Sequence, residues 1–185
     1  ALLVGDALQS QAFIVLTDDA ALDARAQASL VRELAVASGS IGMAGGQAID
    51  LASVGLTLTR PQLETMHRMK TGALLRASVR MGALAGATPD AKALAALDTY
   101  AAAVGLAFQV VDDILDVTTD SATLGKTAGK DAKDGQPTYV SIIGLDASRA
   151  LAAQLRREAH DALAPFGEHA RRLAELADLV VHRVS

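Results

Sequence analysis

The stretch FQVVDDILD, residues 108–116, decides the fold class of this chain. Apolar side chains occupy most of its positions, which is typical of a helix buried in a protein interior. Its four polar residues have the spacing i, i+3, i+4 and i+7, so they lie on one stripe of that helix: Gln109, Asp112, Asp113 and Asp116. Because like charges one turn apart repel and buried carboxylates cost free energy, this stripe needs compensation.

A hard divalent cation is the compensation that the three aspartates predict. Mg²⁺ is typically held by one or two carboxylates together with substrate phosphates. We therefore expect Mg²⁺, with Mn²⁺ as an alternative, at Asp112, Asp113 and Asp116. The competing interpretation is an acidic helix end in solvent, since charge clusters on helices are usually solvated. The apolar flanks of the stretch favour the buried site.

The composition predicts an all-α protein. Of the 185 residues, 51% are hydrophobic and only 3% are aromatic, and abundant Ala and Leu favour helices over strands. This length suits one domain over residues 1–185. The net charge of -4 gives no indication of a nucleic-acid partner. The absence of cysteine excludes disulfides and thiolate metal sites.

We expect neither a membrane span nor a leader sequence. No apolar run is long and uncharged enough to cross a bilayer, and the apolar first residues lack a basic leader. The default location is therefore the cytoplasm. Because the chain begins inside an apolar helical pattern without an initiator Met or a helix cap, we expect its natural start to lie upstream of Ala1.

Periodicity and cap residues predict helices joined by short connections. Asp18 or Asp19 can cap the second helix, and Thr59 with Pro61 can begin the fourth. The predicted helices cover approximately residues 1–16, 20–38, 42–54, 59–84, 89–117, 138–143, 147–163 and 168–183, and a polar loop rich in Gly and Lys covers 118–136.

The fourth predicted helix carries a lysine on its apolar stripe. Lys70 shares that stripe with Leu63, Met66 and Leu74, and an inward-facing ammonium must find an anion or reach water. Two interpretations stay open. Lys70 either pairs with a carboxylate of the core or binds a substrate phosphate, and Thr71 adds a hydroxyl beside it.

Two further segments have weaker signals. The loop at 118–136 brings Lys126 next to glycine, which suits a mobile cation over an anionic group, although a solvated loop explains the same composition. In the third helix, Gln47 and Asp50 share one face behind Gly45 and Gly46. These glycines either allow close helix packing or line a site. Acidic residues and lysines around one cavity predict a metal-bridged phosphate or diphosphate ligand.

The four histidines do not form a hydrolytic triad in the sequence. None has a Ser or Asp partner in a catalytic pattern: His67, His160, His169 and His182. A metal-binding four-helix carboxylate protein is excluded as well, since it requires a Glu-x-x-His pair on each of two helices and the sequence has a single such pair, Glu64 with His67.

The order of the motifs resembles that of the trans-polyprenyl diphosphate synthases, and most closely the bacterial farnesyl diphosphate synthases. The matching segments run along the whole chain: GDAL at 5–8, GGQAIDL at 45–51, HRMKTGAL at 67–74, FQVVDDILD at 108–116, LGK at 124–126 and TY at 138–139. The resemblance implies an all-α isoprenoid synthase fold, an antiparallel helical bundle around a central cavity, usually as a homodimer.

The same resemblance implies a Mg²⁺-dependent prenyltransferase. Its substrates would be an allylic diphosphate and isopentenyl diphosphate, with farnesyl diphosphate as the expected product. The alternatives are a synthase of geranyl or geranylgeranyl diphosphate and a non-catalytic helical subunit of a prenyl synthase.

Residue roles follow from the resemblance by position. Asp112 and Asp116, with Asp113 in support, would hold Mg²⁺ on the allylic diphosphate. Lys70 and Lys126 would neutralise the leaving diphosphate. Near the allylic carbocation, the oxygens of Thr71 and Gln109 would stabilise it, and Gln47 would contact substrate.

The chain departs from the family pattern in two respects. The first aspartate-rich motif and the basic residues that bind isopentenyl diphosphate are expected upstream of Ala1. The chain would therefore be the C-terminal two-thirds of a synthase and inactive by itself. Gln136 stands where the family has a lysine before Thr138 and Tyr139, so Lys130 or Lys133 would have to supply that cation.

Overall fold

The computed structural model describes residues 2–86, 89–118 and 137–183. Within these ranges all regular secondary structure is helical, which confirms the all-α prediction. The helices are α1 (Leu2–Thr17), α2 (Ala24–Ser38), α3 (Met43–Ala52), α4 (Arg60–His67), α5 (Ala73–Gly86), α6 (Ala91–Thr118), α7 (Tyr139–Ile143), α8 (Leu145–Leu163) and α9 (Arg171–His182). A π-helical turn, Arg68–Gly72, joins α4 to α5, and a 3₁₀ helix, Ala164–Ala170, joins α8 to α9.

Helix α6 is the centre of the bundle. Buried side chains occur along most of its length, from Leu97 to Asp116. It packs against α8, α5 and α9. The fully buried Tyr100 donates a hydrogen bond from its hydroxyl to the carbonyl oxygen of Leu173 over 2.7 Å, which ties α6 to α9. The acidic stripe therefore lies on the most enclosed helix of the described chain, as its apolar flanks predict.

Helix α6 also corrects one sequence expectation. It is long and apolar enough to cross a membrane, with a mean hydropathy of 1.6 in its most apolar window, although 61% of that window is buried inside the protein. The core helix of a bundle passes the same length and composition test as a membrane span. Its burial against neighbouring helices identifies α6 as a core helix.

The start of α2 differs from the prediction. Asp23, and not Asp18 or Asp19, caps the helix, because its carboxylate accepts a hydrogen bond from the Ala26 N–H over 2.8 Å. Asp19 instead accepts one from the Ala21 N–H in the preceding turn. Several aspartates near a helix start can serve as its cap, and the chain path selects one of them.

The predicted continuous helix over 59–84 is interrupted by the π-helical turn. Thr59 precedes α4 as predicted, and the Gln62 side-chain oxygen accepts a hydrogen bond from the Thr59 N–H over 2.9 Å. At Arg68–Gly72 the backbone widens into a π-helix before α5 resumes the α-helical geometry. Single π turns inside α-helices often occur at functional sites, and this one contains Lys70 and Thr71.

Candidate functional site

The π turn and α3 contact each other through their backbones. A Cβ atom built on Gly46 would lie 2.2 Å from the Lys70 nitrogen, and one on Gly45 would lie 1.8 Å from the Ser40 carbonyl oxygen. Both distances are far below van der Waals contact, so only glycine fits at either position. Of the two interpretations of these glycines, close packing is therefore correct, and that packing places α3 directly against the Lys70 backbone.

The Lys70 ammonium is paired with a carboxylate of α3. Its Nζ lies 2.5 Å from Oδ2 of Asp50, whose side chain is only 9% exposed, whereas the Lys70 side chain is 34% exposed. The predicted pairing with a core carboxylate is therefore present. It leaves two of the three ammonium protons for another acceptor. Sequence reasoning placed Asp50 on the face of Gln47 but did not assign it to the site.

Thr71, the next residue, faces α6. Its hydroxyl donates a hydrogen bond to Oε1 of Gln109 over 2.9 Å. Gln109 is buried and Thr71 is half-buried. The structure thus brings together two side chains that are 38 residues apart in the chain. Both residues were predicted as site residues.

The three aspartates of α6 have different surroundings. Asp113 and Asp116 are 5% and 1% exposed, whereas the Asp112 side chain is 41% exposed. The interpretation of the stripe as a solvated helix end therefore fails for Asp113 and Asp116. The Asp113 carboxylate accepts a hydrogen bond from the Tyr139 N–H over 2.7 Å and so holds the first turn of α7. That contact gives Asp113 a supporting position.

Arg183 is a second site residue that the sequence analysis missed. Its guanidinium donates a hydrogen bond to the Phe108 carbonyl oxygen over 2.9 Å and lies 3.4 Å from Oδ1 of Asp112. It also lies 4.0 Å from the centre of the Phe108 ring, within the range of a cation–π contact. The chain after α9 thus returns to the acidic stripe and places a cation beside its most exposed carboxylate.

His67 fills the space between the π turn and α7. It is 8% exposed, and its ring stacks on that of Tyr139 with 5.8 Å between centroids. Burial, reinforced by the charge of Lys70, lowers the pKa of His67 from 6.5 to about 4. The histidine is therefore neutral at physiological pH, and its ring packs beside the site without adding charge to it.

The carboxylates of α6 suit a metal ion that is bound partly by the protein and partly by the substrate. Within the ranges that the structure describes, no group of three or more His, Cys, Asp or Glu side chains could enclose a metal ion by itself. Asp112 and Asp116 lie one turn apart on the same helix. Two carboxylates completed by phosphate oxygens and water are a usual environment for Mg²⁺. These two residues fit Mg²⁺ as part of a site, and Asp113 is occupied by the α7 backbone.

A cavity of about 240 Å³ borders the same elements. Its lining combines residues of the π turn and of α6 with the end of the α2–α3 connection: Ile41, Arg68, Met69, Gly72, Ala73, Arg76, Ala102 and Leu106. Most of these side chains are apolar. The cavity therefore offers space for an apolar group against the π turn and α6, and neither Thr71 nor Gln109 is part of its lining.

The remaining predicted site residues are Gln47 and Lys126. Gln47 lies on α3, half-buried, one turn before Asp50. Lys126, Lys130, Lys133 and Gln136 lie outside the described residues. His160 on α8 does not belong to the site, because its ring nitrogen lies 2.7 Å from the carboxylate of Asp178 on α9.

Comparison with known proteins places the chain among prenyl synthases. A family model described as polyprenyl synthetase matches residues 1–169. A "probable farnesyl diphosphate synthase" of Sinorhizobium fredii is 55% identical over 95% of this chain and 54% of its own length. The farnesyl diphosphate synthase of Escherichia coli is 46% identical over 99% of this chain and 63% of its own length.

A solved structure supports the same placement. The geranyltransferase of Helicobacter pylori complexed with magnesium and isoprenyl diphosphate superposes with a TM-score of 0.81 at 32% identity. The superposition covers 97% of this chain and 58% of that protein. The chain therefore spans between half and two-thirds of the length of these relatives.

Proposed function

This chain belongs to the polyprenyl synthetase family, and from that premise we propose that the protein is a Mg²⁺-dependent prenyltransferase that condenses an allylic diphosphate with isopentenyl diphosphate. One observation carries the proposal. The π turn holds the Lys70 ammonium and the Thr71 hydroxyl next to the helix that carries Gln109 and the aspartates. The isoprenoid synthase fold that was expected from the sequence is confirmed by the solved relatives.

Lys70 provides a cation for the leaving diphosphate. Ionisation of an allylic diphosphate separates a diphosphate anion from a carbocation, so positive charge at the anion lowers the barrier. The two ammonium protons that Asp50 does not use can donate to diphosphate oxygens. Lys126 would add a second cation.

Asp112 and Asp116 are the residues that would hold Mg²⁺. Held there, Mg²⁺ would supply positive charge that offsets the charge of the leaving diphosphate. Asp113 would support the metal site indirectly. Its carboxylate accepts a hydrogen bond from the Tyr139 N–H and so fixes α7 against α6. The geranyltransferase of Helicobacter pylori forms a complex with magnesium and isoprenyl diphosphate, and this relative supports the choice of metal here.

Thr71 and Gln109 would stabilise the allylic carbocation, which is the other product of ionisation. Their hydrogen bond fixes two side-chain oxygens within 2.9 Å of each other. Fixed oxygen dipoles stabilise a neighbouring carbocation without reorganisation during the reaction. Gln47, which lies one turn before Asp50 on the same face of α3, would also contact substrate.

Farnesyl diphosphate is the product that we infer. The two relatives described above, which are 55% and 46% identical to this chain, both have that activity in their names. We further infer a cytoplasmic homodimer. The large apolar side chains that α1 exposes, among them Leu3, Leu8 and Val15, offer a surface for a second copy.

The assay measures turnover of dimethylallyl diphosphate and isopentenyl diphosphate in the presence of Mg²⁺ by the protein as its organism produces it. We expect farnesyl diphosphate as the main product by chromatography and no turnover when Mg²⁺ is chelated. A geranyl or geranylgeranyl product would change the assigned chain length and leave the reaction class intact. Absence of any elongated product would refute the reaction class.

A further inference from the structure

We propose that Asp50 is a positioning residue that holds the Lys70 ammonium at the diphosphate site. The inference rests on the proposed function, which assigns Lys70 to the diphosphate. It concerns a residue that acts through Lys70 and not on the substrate. Three features of the described structure lead to it: the burial of Asp50, the backbone contact at Gly46 and the π turn.

Asp50 is the fixed member of the ion pair. Its side chain is 9% exposed, against 34% for Lys70, and it extends from the last turn of α3. A buried carboxylate is costly unless it is paired. The cost of moving Asp50 away from the ammonium therefore keeps the pair together. A long lysine side chain would otherwise sample many rotamers, and Asp50 restricts Lys70 to those near the site.

The backbone of Lys70 is held by the same helix. Gly46 lies one turn before Asp50 and contacts the Lys70 backbone so closely that no side chain fits between them. Lys70 is thus fixed at both ends by α3, at its nitrogen by Gly46 and at its ammonium by Asp50. The π turn supplies the local backbone geometry that makes both contacts compatible.

This arrangement prepares the cation before an anion arrives. The pair satisfies the charge of both groups in the absence of ligand, while two ammonium protons stay available. An incoming diphosphate then meets an ordered donor, and the binding free energy is not reduced by the cost of ordering that side chain. Asp50 repels the anion as well, so the proposal requires that the ordering effect exceeds the repulsion.

The test measures the binding of inorganic pyrophosphate in the presence of Mg²⁺ by titration calorimetry, on the naturally produced protein. Lys70→Met should weaken binding by about 10-fold or more, because a charge-assisted hydrogen bond is lost. Asp50→Asn, which keeps the shape and removes the charge, should weaken it by about 2- to 10-fold, the scale of ordering one long side chain. In the Lys70→Met background, Asp50→Asn should have no further effect on pyrophosphate binding.

Steady-state kinetics give a second readout. Asp50→Asn should lower kcat more than it raises KM. Without Asp50, the Lys70 ammonium is no longer positioned for the charge that develops on the leaving group in the transition state. Asp98→Asn is the matched control. It removes a carboxylate from a comparable pair, 2.7 Å from Arg80, away from the π turn, and should leave both quantities unchanged. If Asp50→Asn does not fold, Asp50→Ser provides the same charge removal in a smaller side chain.

The outcomes separate the two proposals. Tighter pyrophosphate binding by Asp50→Asn, or equal losses in the Lys70 and Lys70→Met backgrounds, would overturn the positioning role while leaving the prenyltransferase assignment intact. If Lys70→Met binds pyrophosphate as well as the unmodified protein does, the assignment of Lys70 itself fails, and the inference fails with it.

Discussion

Asp112 is the residue on which the metal hypothesis depends most directly. It is the most exposed carboxylate of the acidic stripe and the one that Arg183 approaches. An arginine therefore provides part of the compensation that the sequence analysis assigned to a divalent cation. An arginine and a metal ion can both neutralise the charge of these carboxylates. A buried acidic stripe in the sequence therefore predicts a cation but not which one.

Replacing Asp112 tests that hypothesis. We expect Asp112→Ala to reduce kcat by about 10²-fold or more, the scale for removing one major electrostatic stabiliser of a transition state. Steady-state assays over a range of Mg²⁺ concentrations should also show a higher Mg²⁺ requirement. Asp146→Ala removes a carboxylate that is 99% exposed and serves as the control. Near-normal kinetics with Asp112→Ala would exclude a metal-ligand role.

Asp50 and Arg183 show where sequence reasoning ends at this scale. Lys70 was recognised because an inward lysine conflicts with its apolar neighbours on the same helix. The identity of its partner depends on a contact between residues 20 positions apart, and the Arg183 contact spans 71 positions. Helical periodicity describes one element at a time, so neither contact follows from it.

At the scale of single elements, the helices were predictable and their irregularities were not. The apolar periodicity predicted the helices of the described ranges to within a few residues, except that α4 and α5 were predicted as one helix. Helix α6 begins where predicted, and the Asp90 carboxylate accepts a hydrogen bond from the Ala93 N–H there. The π turn was missed, because five residues of wider backbone leave the apolar spacing almost unchanged. The choice of Asp23 as the α2 cap likewise depends on the chain path.

The contact between α3 and the π turn predicts the effect of one methyl group. We expect Gly46→Ala to destabilise the fold by about 1–3 kcal/mol, the usual cost of overpacking. This cost acts against the higher helix propensity of alanine, and pyrophosphate affinity should fall as well. Urea unfolding provides the measurement. The control is Gly82→Ala on α5, where an added Cβ would meet nothing within 4 Å and alanine should be neutral or stabilising by up to about 1 kcal/mol. Equal stabilities of the two variants would contradict the close contact.

At the scale of the whole molecule, the order of the motifs along the chain predicted more than any single site did. The family and the fold followed from six segments spread over residues 5–139, and the family model and solved relatives confirm both. The roles of the site residues stay predictions. They depend on side-chain geometry toward a ligand, which the order of motifs does not encode.

The buried histidine links the stability of the bundle to pH. The folded protein keeps His67 neutral down to a pKa of about 4, whereas the unfolded chain takes up a proton near pH 6.5. The contribution of this group is therefore fully present above about pH 6.5 and is lost as the pH falls toward 4. The depressed pKa corresponds to roughly 3 kcal/mol in the free energy of unfolding.

Urea unfolding at pH 7 and pH 4.5 measures this dependence. His67→Phe keeps the ring against Tyr139 and cannot take up a proton, so it should lose less stability between these two pH values than the unmodified protein. His169→Gln changes an exposed histidine and should leave the pH dependence as it is. If His67→Phe retains the full acid sensitivity, another group is responsible.

The π turn between α4 and α5 has a consequence for how related chains are aligned. A π turn takes in one more residue than an α turn over nearly the same rotation, because its hydrogen bonds run from residue i to i+5. Losing one residue from Arg68–Gly72 would therefore let α4 and α5 fuse into a single regular helix while the side chains of α5 kept nearly the same directions. Ala77, now 2% exposed, would stay in the interior. A gap of one position within these five residues is therefore compatible with the same bundle, and an alignment of related chains should place a single-residue gap there and not inside α4 or α5.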